Sequence, residues 1–207
     1  MSERRPLALG VLVSGSGTNL QAIIDAIAAG TLDARVAVVI SNKGDAYGLE
    51  RARLAGVPAV HVDPANSENP KGYNREIREV LESHGVELVV MAGYMRLLGA
   101  EVLRAFPGAV VNLHPALLPA FPGTTAIREA FEWGVKVTGV TVHFADEEFD
   151  RGPILCQEPV VVEETDTLET LEARIHEAEH RLLPHAIGLI ASGRVRVEGR
   201  RVHISEE

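Results

Sequence analysis

Cysteine is nearly absent: Cys156 is the one thiol among 207 residues. That excludes an intrachain disulfide and any zinc centre built on paired cysteines, and leaves Cys156 as a small core residue. Positive charge is also short, with 20 Lys and Arg against 29 Asp and Glu and a net charge of −9. A chain so poor in clustered cations does not present a nucleic-acid surface. An anionic small substrate stays open, because a phosphate site can be built from backbone amides. No apolar run reaches membrane-spanning length, and Met1-Ser2-Glu3-Arg4-Arg5 leads into a strand-like run, not a signal sequence. Those absences imply the cytoplasm and no membrane partner. Repeats, low-complexity tracts and charged linkers are missing as well. What remains is 46% hydrophobic and 24% charged, which suits one globular domain over residues 1–207 with a full core.

Along the chain, strand-like and helix-like segments alternate. Leu7–Val13 reads as a buried strand, and Thr18–Ala29 as a helix closed by Gly30. Val36–Ile40 is a second strand, Ala46–Ala55 a helix ended by Gly56, and Val57–Val62 a third strand. Tyr73–His84 carries Ile77, Val80 and Leu81 on one helical face and stops at Gly85. Leu88–Ala92 and Ala109–Leu113 are continuous apolar runs, as strands are when both faces are covered. Later, Val135–Phe144 alternates and Ile154–Val162 is strand-like. Leu168–Ser192 reads as a long helix that Pro184 should kink or interrupt. Arg194–Glu198 and Arg200–Ile204 around Gly199 form a short hairpin whose arginines lie on a solvated face. The class expected is α/β: a doubly wound, mostly parallel sheet with helices on both faces, an antiparallel portion, a C-terminal helix and a short hairpin.

Three loops at the carboxyl ends of strands hold unusual residues, where ligands gather in such sheets. Asn112-Leu113-His114-Pro115 ends the run Ala109–Val111. On a strand, Asn112 and His114 share one face and Leu113 takes the other, and Pro115 keeps His114 in extended backbone. An amide donor beside an imidazole suits the tetrahedral intermediate of acyl transfer. Equally, Asn112 caps a loop and His114 is a solvated turn residue. Ser14-Gly15-Ser16-Gly17-Thr18-Asn19 is neither a Walker loop nor a G-x-G-x-x-G motif. It is a phosphate cradle at a helix N-terminus or simply a tight turn. Asp146–Pro153 is an acidic run ending in Gly152-Pro153, which by default is a solvated cluster.

Taken in order, Ser14–Gln21, Ser41-Asn42-Lys43, Ala92–Leu98, Asn112–Pro119, His143-Phe144, Asp150–Ile154 and Glu179-His180 resemble the phosphoribosylglycinamide formyltransferase family. The resemblance spans roughly residues 7 to 200 and implies its Rossmann-like formyltransferase fold. The Asn-x-His-Pro and later Asp are common to folate formyltransferases of this fold; the Gly-rich loop and the chain length point to the purine-pathway member. A methionyl-tRNA formyltransferase would carry an extra C-terminal domain and basic surface. A formyltetrahydrofolate hydrolase would carry an N-terminal regulatory domain.

The resemblance implies that Asn112, His114 and Asp150 are catalytic. It places Gly17, Thr18 and Asn19 at the ribonucleotide phosphate and Glu179 at the glycinamide end. It puts Met95, Arg96, Leu97 and Leu98, with Asn112, at the pterin pocket, and Asp146, Glu147, Glu148, Phe149 and Asp150 in the loop closing over the ring. It divides the chain into a nucleotide-binding half, 1–108, and a folate-binding, catalytic half, 109–207. It implies 10-formyltetrahydrofolate as formyl-donating cosubstrate, phosphoribosylglycinamide as acceptor, no metal, and neither nucleic acid nor membrane as partner. Thr125 and Pro70-Lys71 stand where some bacterial members carry His and Arg. His143 is expected to be a structural or supporting residue. Asp150 is expected to favour the charged form of His114. The rivals are the same chemistry on a nucleotide-sugar amine and a non-catalytic nucleotide-binding module.

Overall fold

A computed structural model describes residues 5–67 and 69–206. Met1–Arg4 of the opening stretch lie outside the described residues. The chain alternates β1 (Leu7–Val13), α1 (Thr18–Ala28), β2 (Ala34–Ser41), α2 (Tyr47–Leu54), β3 (Ala59–His61), α3 (Pro70–Ser83), β4 (Leu88–Met91), α4 (Ala100–Ala105) and β5 (Val110–His114). It continues with α5 (Ala126–Trp133), β6 (Val137–Phe144), β7 (Ile154–Val161), α6 (Leu168–Ala191), β8 (Val195–Glu198) and β9 (Arg201–Ile204). Seven strands form one sheet in the order β3-β2-β1-β4-β5-β6-β7. The first five run parallel, and β6 and β7 are added antiparallel. The last two strands pair as a separate hairpin.

Side-chain alternation splits the core into two layers. Leu9, Val11 and Val13 of β1 join Leu20 and Ile23 of α1 and Leu171, Ile175 and Ala178 of α6. Ala8 and Leu12 face the other way, onto Ile77 and Leu81 of α3 and Val102 of α4. The central strands are therefore apolar on both faces, which is why they read as unbroken hydrophobic runs. On β5, Val111 and Leu113 enter the first layer, and Asn112 and His114 take the opposite side, as their spacing required.

Several elements depart from the sequence expectation. Helix α3 starts at Pro70, not Tyr73, because the Asn69 side chain accepts from the Gly72 amide and Pro70 takes the first helical position. The short helices α4 and α5 were not legible. In α5 the apolar face is real but short: Ala126 and Ala130 are buried and Ile127 and Phe131 pack half-buried against the first core layer, all within eight residues. Pro184 does not interrupt α6, which runs unbroken for 24 residues. Proline removes one helical hydrogen bond, but Leu182, Leu183, Ala186 and Ile187 on either side of it are buried and hold both turns in place. A reciprocal Thr167–Thr170 cap fixes the helix start.

Candidate active site

The strand order reverses between β1 and β4, and the crevice of a doubly wound sheet opens there. Loops from both strands are tied across it. Ser14 Oγ donates to Asn42 Oδ1 at 2.6 Å and accepts from the Met95 amide at 2.9 Å, and the Ser14 amide donates to the Gly93 carbonyl. A cavity of about 580 Å³ lies beyond. Its wall includes the Ser14–Asn19 loop, Met95, the end of β5, Asp150 and Glu179.

One pole of the cavity is a buried polar cluster. Asn112 Nδ2 donates to His143 Nε2 at 3.1 Å and to Asp150 Oδ1 at 3.3 Å. His143 Nδ1 in turn donates to the Phe144 carbonyl at 2.9 Å, so both its nitrogens are satisfied. Both amide hydrogens of Asn112 are thereby engaged, and its Oδ1 has no partner among the described residues. His114 Nε2 donates to the Phe121 carbonyl at 2.8 Å and its Nδ1 lies 3.5 Å from Asp150 Oδ2. Asp150 Oδ2 also accepts from the Gly123 amide at 2.8 Å. The long separation between His114 and Asp150 in sequence is closed by the pairing of β5 with β6 and the loop that follows β6.

Electrostatics in this cluster are set by burial against pairing. Burial pushes the His114 imidazole below its usual value, and Asp150 and the Phe121 carbonyl oppose but do not cancel it. Asp150 does favour the charged form of His114, as expected from the sequence, but burial outweighs it. Burial alone would raise the Asp150 carboxyl, yet the contacts with His143, the Gly123 amide and His114 hold it below the ordinary range. Both shifts give stability that falls with acid. His114 contributes stability above pH 6.5 that is lost as pH drops toward its lower folded value, and Asp150 contributes stability lost below 3.8. Thermal melts of the wild type should fall between pH 7 and 5, and His114→Asn should flatten that fall.

The loop carrying Asp150 has an unusual backbone conformation. Asp150 has φ +54° and Phe121, whose carbonyl holds His114, has φ +50°. These two are the only non-glycine residues with positive φ among the described residues, and such strain persists where neighbours over-determine it. Two residues on, Gly152 lies against the end of β6: a Cβ there would stand 1.7 Å from the Phe144 carbonyl oxygen. No other residue fits without moving the loop.

The other pole is the glycine-rich loop between β1 and α1. Thr18, Asn19 and their neighbours open α1, with their amides and the positive end of the helix dipole at the cavity. Asn19 Nδ2 donates to Glu179 Oε2 at 3.0 Å, and His176 Nδ1 contacts the same oxygen at 2.8 Å. Glu179 raises the His176 pKa through that bond. Asn19 Oδ1 is buried with no partner, and Glu179 Oε1 also has none among the described residues. Gly17 is required for a different reason than ligand approach. Its φ is +70° and a Cβ would stand 2.6 Å from Gly48 Cα in α2. Gly15, by contrast, has open space on its Cβ side. Gly17→Ala should destabilise the fold by about 1–3 kcal/mol in a chemical melt, the range for such backbone strain, while Gly15→Ala should leave stability unchanged.

The residues matched to the pterin pocket are divided. Met95 lines the large cavity, and Leu97 and Leu98 line a recess of about 20 Å³ with Asn112, Asp146, Glu148, Phe149 and Asp150. Arg96 reaches neither; its guanidinium lies 5.2 Å over the Tyr73 ring. Glu147 is exposed and pairs with Arg104 at 3.8 Å. Lys43, Arg128, Glu172 and His176 also line the large cavity, and none was singled out as a site residue from sequence. Lys43 stood inside a matched motif; the other three sit on helices with no local signal.

The chain matches the Formyl transferase family over residues 8–187. It belongs to that family. Within it, the similar proteins are phosphoribosylglycinamide formyltransferases. The Bacillus subtilis enzyme of that name is 44% identical over 177 residues, covering 86% of this chain and 91% of the relative. The crystal structure of glycinamide ribonucleotide transformylase 1 from Symbiobacterium toebii superposes with a TM-score of 0.96 at 53% identity, covering 98% of this chain and 95% of that one. The human trifunctional purine biosynthetic protein adenosine-3 is 40% identical over 207 residues, 99% of this chain but 20% of that protein. Among the described residues no group of three or more His, Cys, Asp or Glu could hold a metal ion, and no helix is long and apolar enough to cross a membrane.

Proposed function

We propose that this chain transfers the formyl group of 10-formyltetrahydrofolate to the amine of phosphoribosylglycinamide, with Asn112, His114 and Asp150 at the reacting atoms. The observation that carries the reading is one cavity bounded at one end by the Asn112–His114–Asp150 cluster and at the other by a helix N-terminus and Glu179. That arrangement suits an acceptor with a phosphate at one end and an amine at the other. Gly17, Thr18 and Asn19 receive the phosphate, and Glu179 Oε1 receives the glycinamide end. In this reading residues 1–108 supply the phosphate loop and residues 109–207 the reacting cluster, with Glu179 reaching back to Asn19.

The folate enters beside Met95, Leu97 and Leu98. The recess there, about 20 Å³, is far smaller than the cavity of about 580 Å³ beside it, so a pterin ring entering it displaces Phe149 and the acidic segment Asp146–Glu148 as it binds. The neutral amine attacks the formyl carbon, and the carbonyl becomes an oxyanion. Asn112 Oδ1, free in the resting cluster, accepts an N–H of the attacking amine and aligns it. His114, kept neutral by burial, takes the amine's proton at Nδ1. The cation gains Asp150 as a partner as it forms and faces the oxyanion. Collapse of the intermediate breaks the bond to folate N10, and the proton moves there directly or through water. Positioned acid–base transfer of this kind contributes about 10²–10⁴ in rate.

The reading is tested by incubating the protein with phosphoribosylglycinamide and 10-formyltetrahydrofolate and following tetrahydrofolate release with formylated product. Stoichiometric release is expected. Tight binding of the nucleotide with no transfer, or preferred transfer to a nucleotide-sugar amine, would reject it.

A further inference from the structure

Asp150 occupies a strained conformation that its own loop does not fully explain. The Gly152 contact with Phe144 holds the inner side of the loop's end. The outer side is held from far along the sequence. Arg200, in the turn between β8 and β9, donates from Nη1 to the carbonyl oxygen of Arg151 at 2.7 Å, a contact across 49 residues. Arg151 is the residue between Asp150 and Gly152, and its side chain is exposed, near Glu148 at 3.6 Å.

The sequence reading placed the hairpin's arginines on a solvated face, and most of them are. Arg196, for example, pairs with Glu198 on its own strand. Arg200 differs because its partner is the backbone of the loop that carries the reacting carboxylate. We propose that Arg200 is a positioning residue for formyl transfer: the β8–β9 turn clasps the Arg151 carbonyl and so holds Asp150 against His114. The inference rests on the catalytic role given to Asp150 above.

A left-handed aspartate is kept in place only while the flanking peptide planes are fixed. The peptide that follows Asp150 is the one whose geometry sets ψ at that residue, and the next carbonyl along is the one Arg200 grips. A guanidinium is always charged and donates through several N–H groups, so it keeps this grip at any working pH. Without the clasp, the carboxylate keeps its Asn112 and Gly123 donors and the loop end keeps Gly152 and Pro153, but the peptide after Asp150 loses its outer restraint. The Asp150 carboxylate would then sample positions beyond its 3.5 Å approach to His114.

The test compares Arg200→Ala, Arg200→Lys and Arg196→Ala in the full chain, with circular dichroism confirming the fold of each. Arg200→Ala should lower kcat by up to about a hundredfold, the cost of misplacing a reacting group by about 1 Å, with KM for the nucleotide unchanged because its loop is elsewhere. The His114 titration, followed by NMR, should move further down as Asp150 is released; loss of stability alone would not move it. Arg200→Lys should recover part of kcat, since an ammonium also donates to a carbonyl, and Arg196→Ala should match the wild type. Wild-type kcat and an unmoved His114 titration in folded Arg200→Ala, beside an Asp150→Asn variant that is crippled, would overturn the clasp alone. Wild-type kcat in Asp150→Asn as well would overturn the catalytic reading beneath it.

Discussion

Asp150→Asn should reduce turnover by about 10²–10⁴, the range for loss of positioned acid–base chemistry, while nucleotide affinity stays within a few-fold of the wild type. The substitution keeps the size of the side chain. It removes the charge that stabilises the His114 cation and places an amide where two donors, Asn112 Nδ2 and the Gly123 amide, now meet carboxylate oxygens. One of these two donors must lose its acceptor, which adds a structural cost to the electrostatic one. Because Asp150 raises the His114 pKa against the lowering by burial, its loss should drive that pKa further down. Glu147→Gln makes the same change in net charge a few residues away. Glu147 is exposed and its partner Arg104 is too, so the pair contributes little and turnover should hold. Steady-state kinetics of both variants check the contrast, and equal mild losses would make Asp150 an ordinary member of an acidic loop.

His114→Ala and Asn112→Ala should each lower turnover by about 10²–10³, the usual loss when a group acting on transition-state charge is removed, but their second effects should differ. His114 is buried with Nε2 bonded to the Phe121 carbonyl, so truncation orphans that carbonyl and opens space beside Asp150. A lower melting temperature accompanies the loss of rate. Asn112→Ala removes a donor from His143 Nε2 and Asp150 Oδ1, and both residues line the small recess beside Leu97 and Leu98, where water can take its place. Stability should change less there. The single turnover rate with both substrates bound separates the chemical defect from any defect in binding, and a wild-type rate in either variant contradicts its place at the reacting atoms.

The legible parts of this molecule are those written in local pattern. Continuous apolar runs gave the five parallel strands, since strands covered on both faces need no polar side. The two-residue spacing of Asn112 and His114 put them on one face before any coordinates did. What pattern could not reach was set by tertiary contact. The α5 helix is only eight residues long, so its apolar face of Ala126, Ile127, Ala130 and Phe131 spans two turns and does not stand out from the proline-rich loop before it. A need for Gly17 lies in α2, where a Cβ would meet Gly48. The charge state of His114 turned on how deeply it is buried, which spacing does not encode. His143, which takes one Asn112 hydrogen, reads in sequence as any strand histidine, and Arg200 reads as one more arginine on a solvated hairpin. Arg96 lies inside a matched motif yet stacks on Tyr73 away from the cavity, so a motif fixes neighbourhood more firmly than orientation.

The pH profile of kcat/KM for formyl transfer tests the central claim most directly, because it reports the free protein's essential base. If His114 acts as a neutral base beside Asp150, the acid limb has its midpoint below 6.5 and moves lower still in Asp150→Asn. An acid limb at or above 6.5, or one that stays in place when Asp150 loses its charge, would contradict the assignment of these two residues to the reaction.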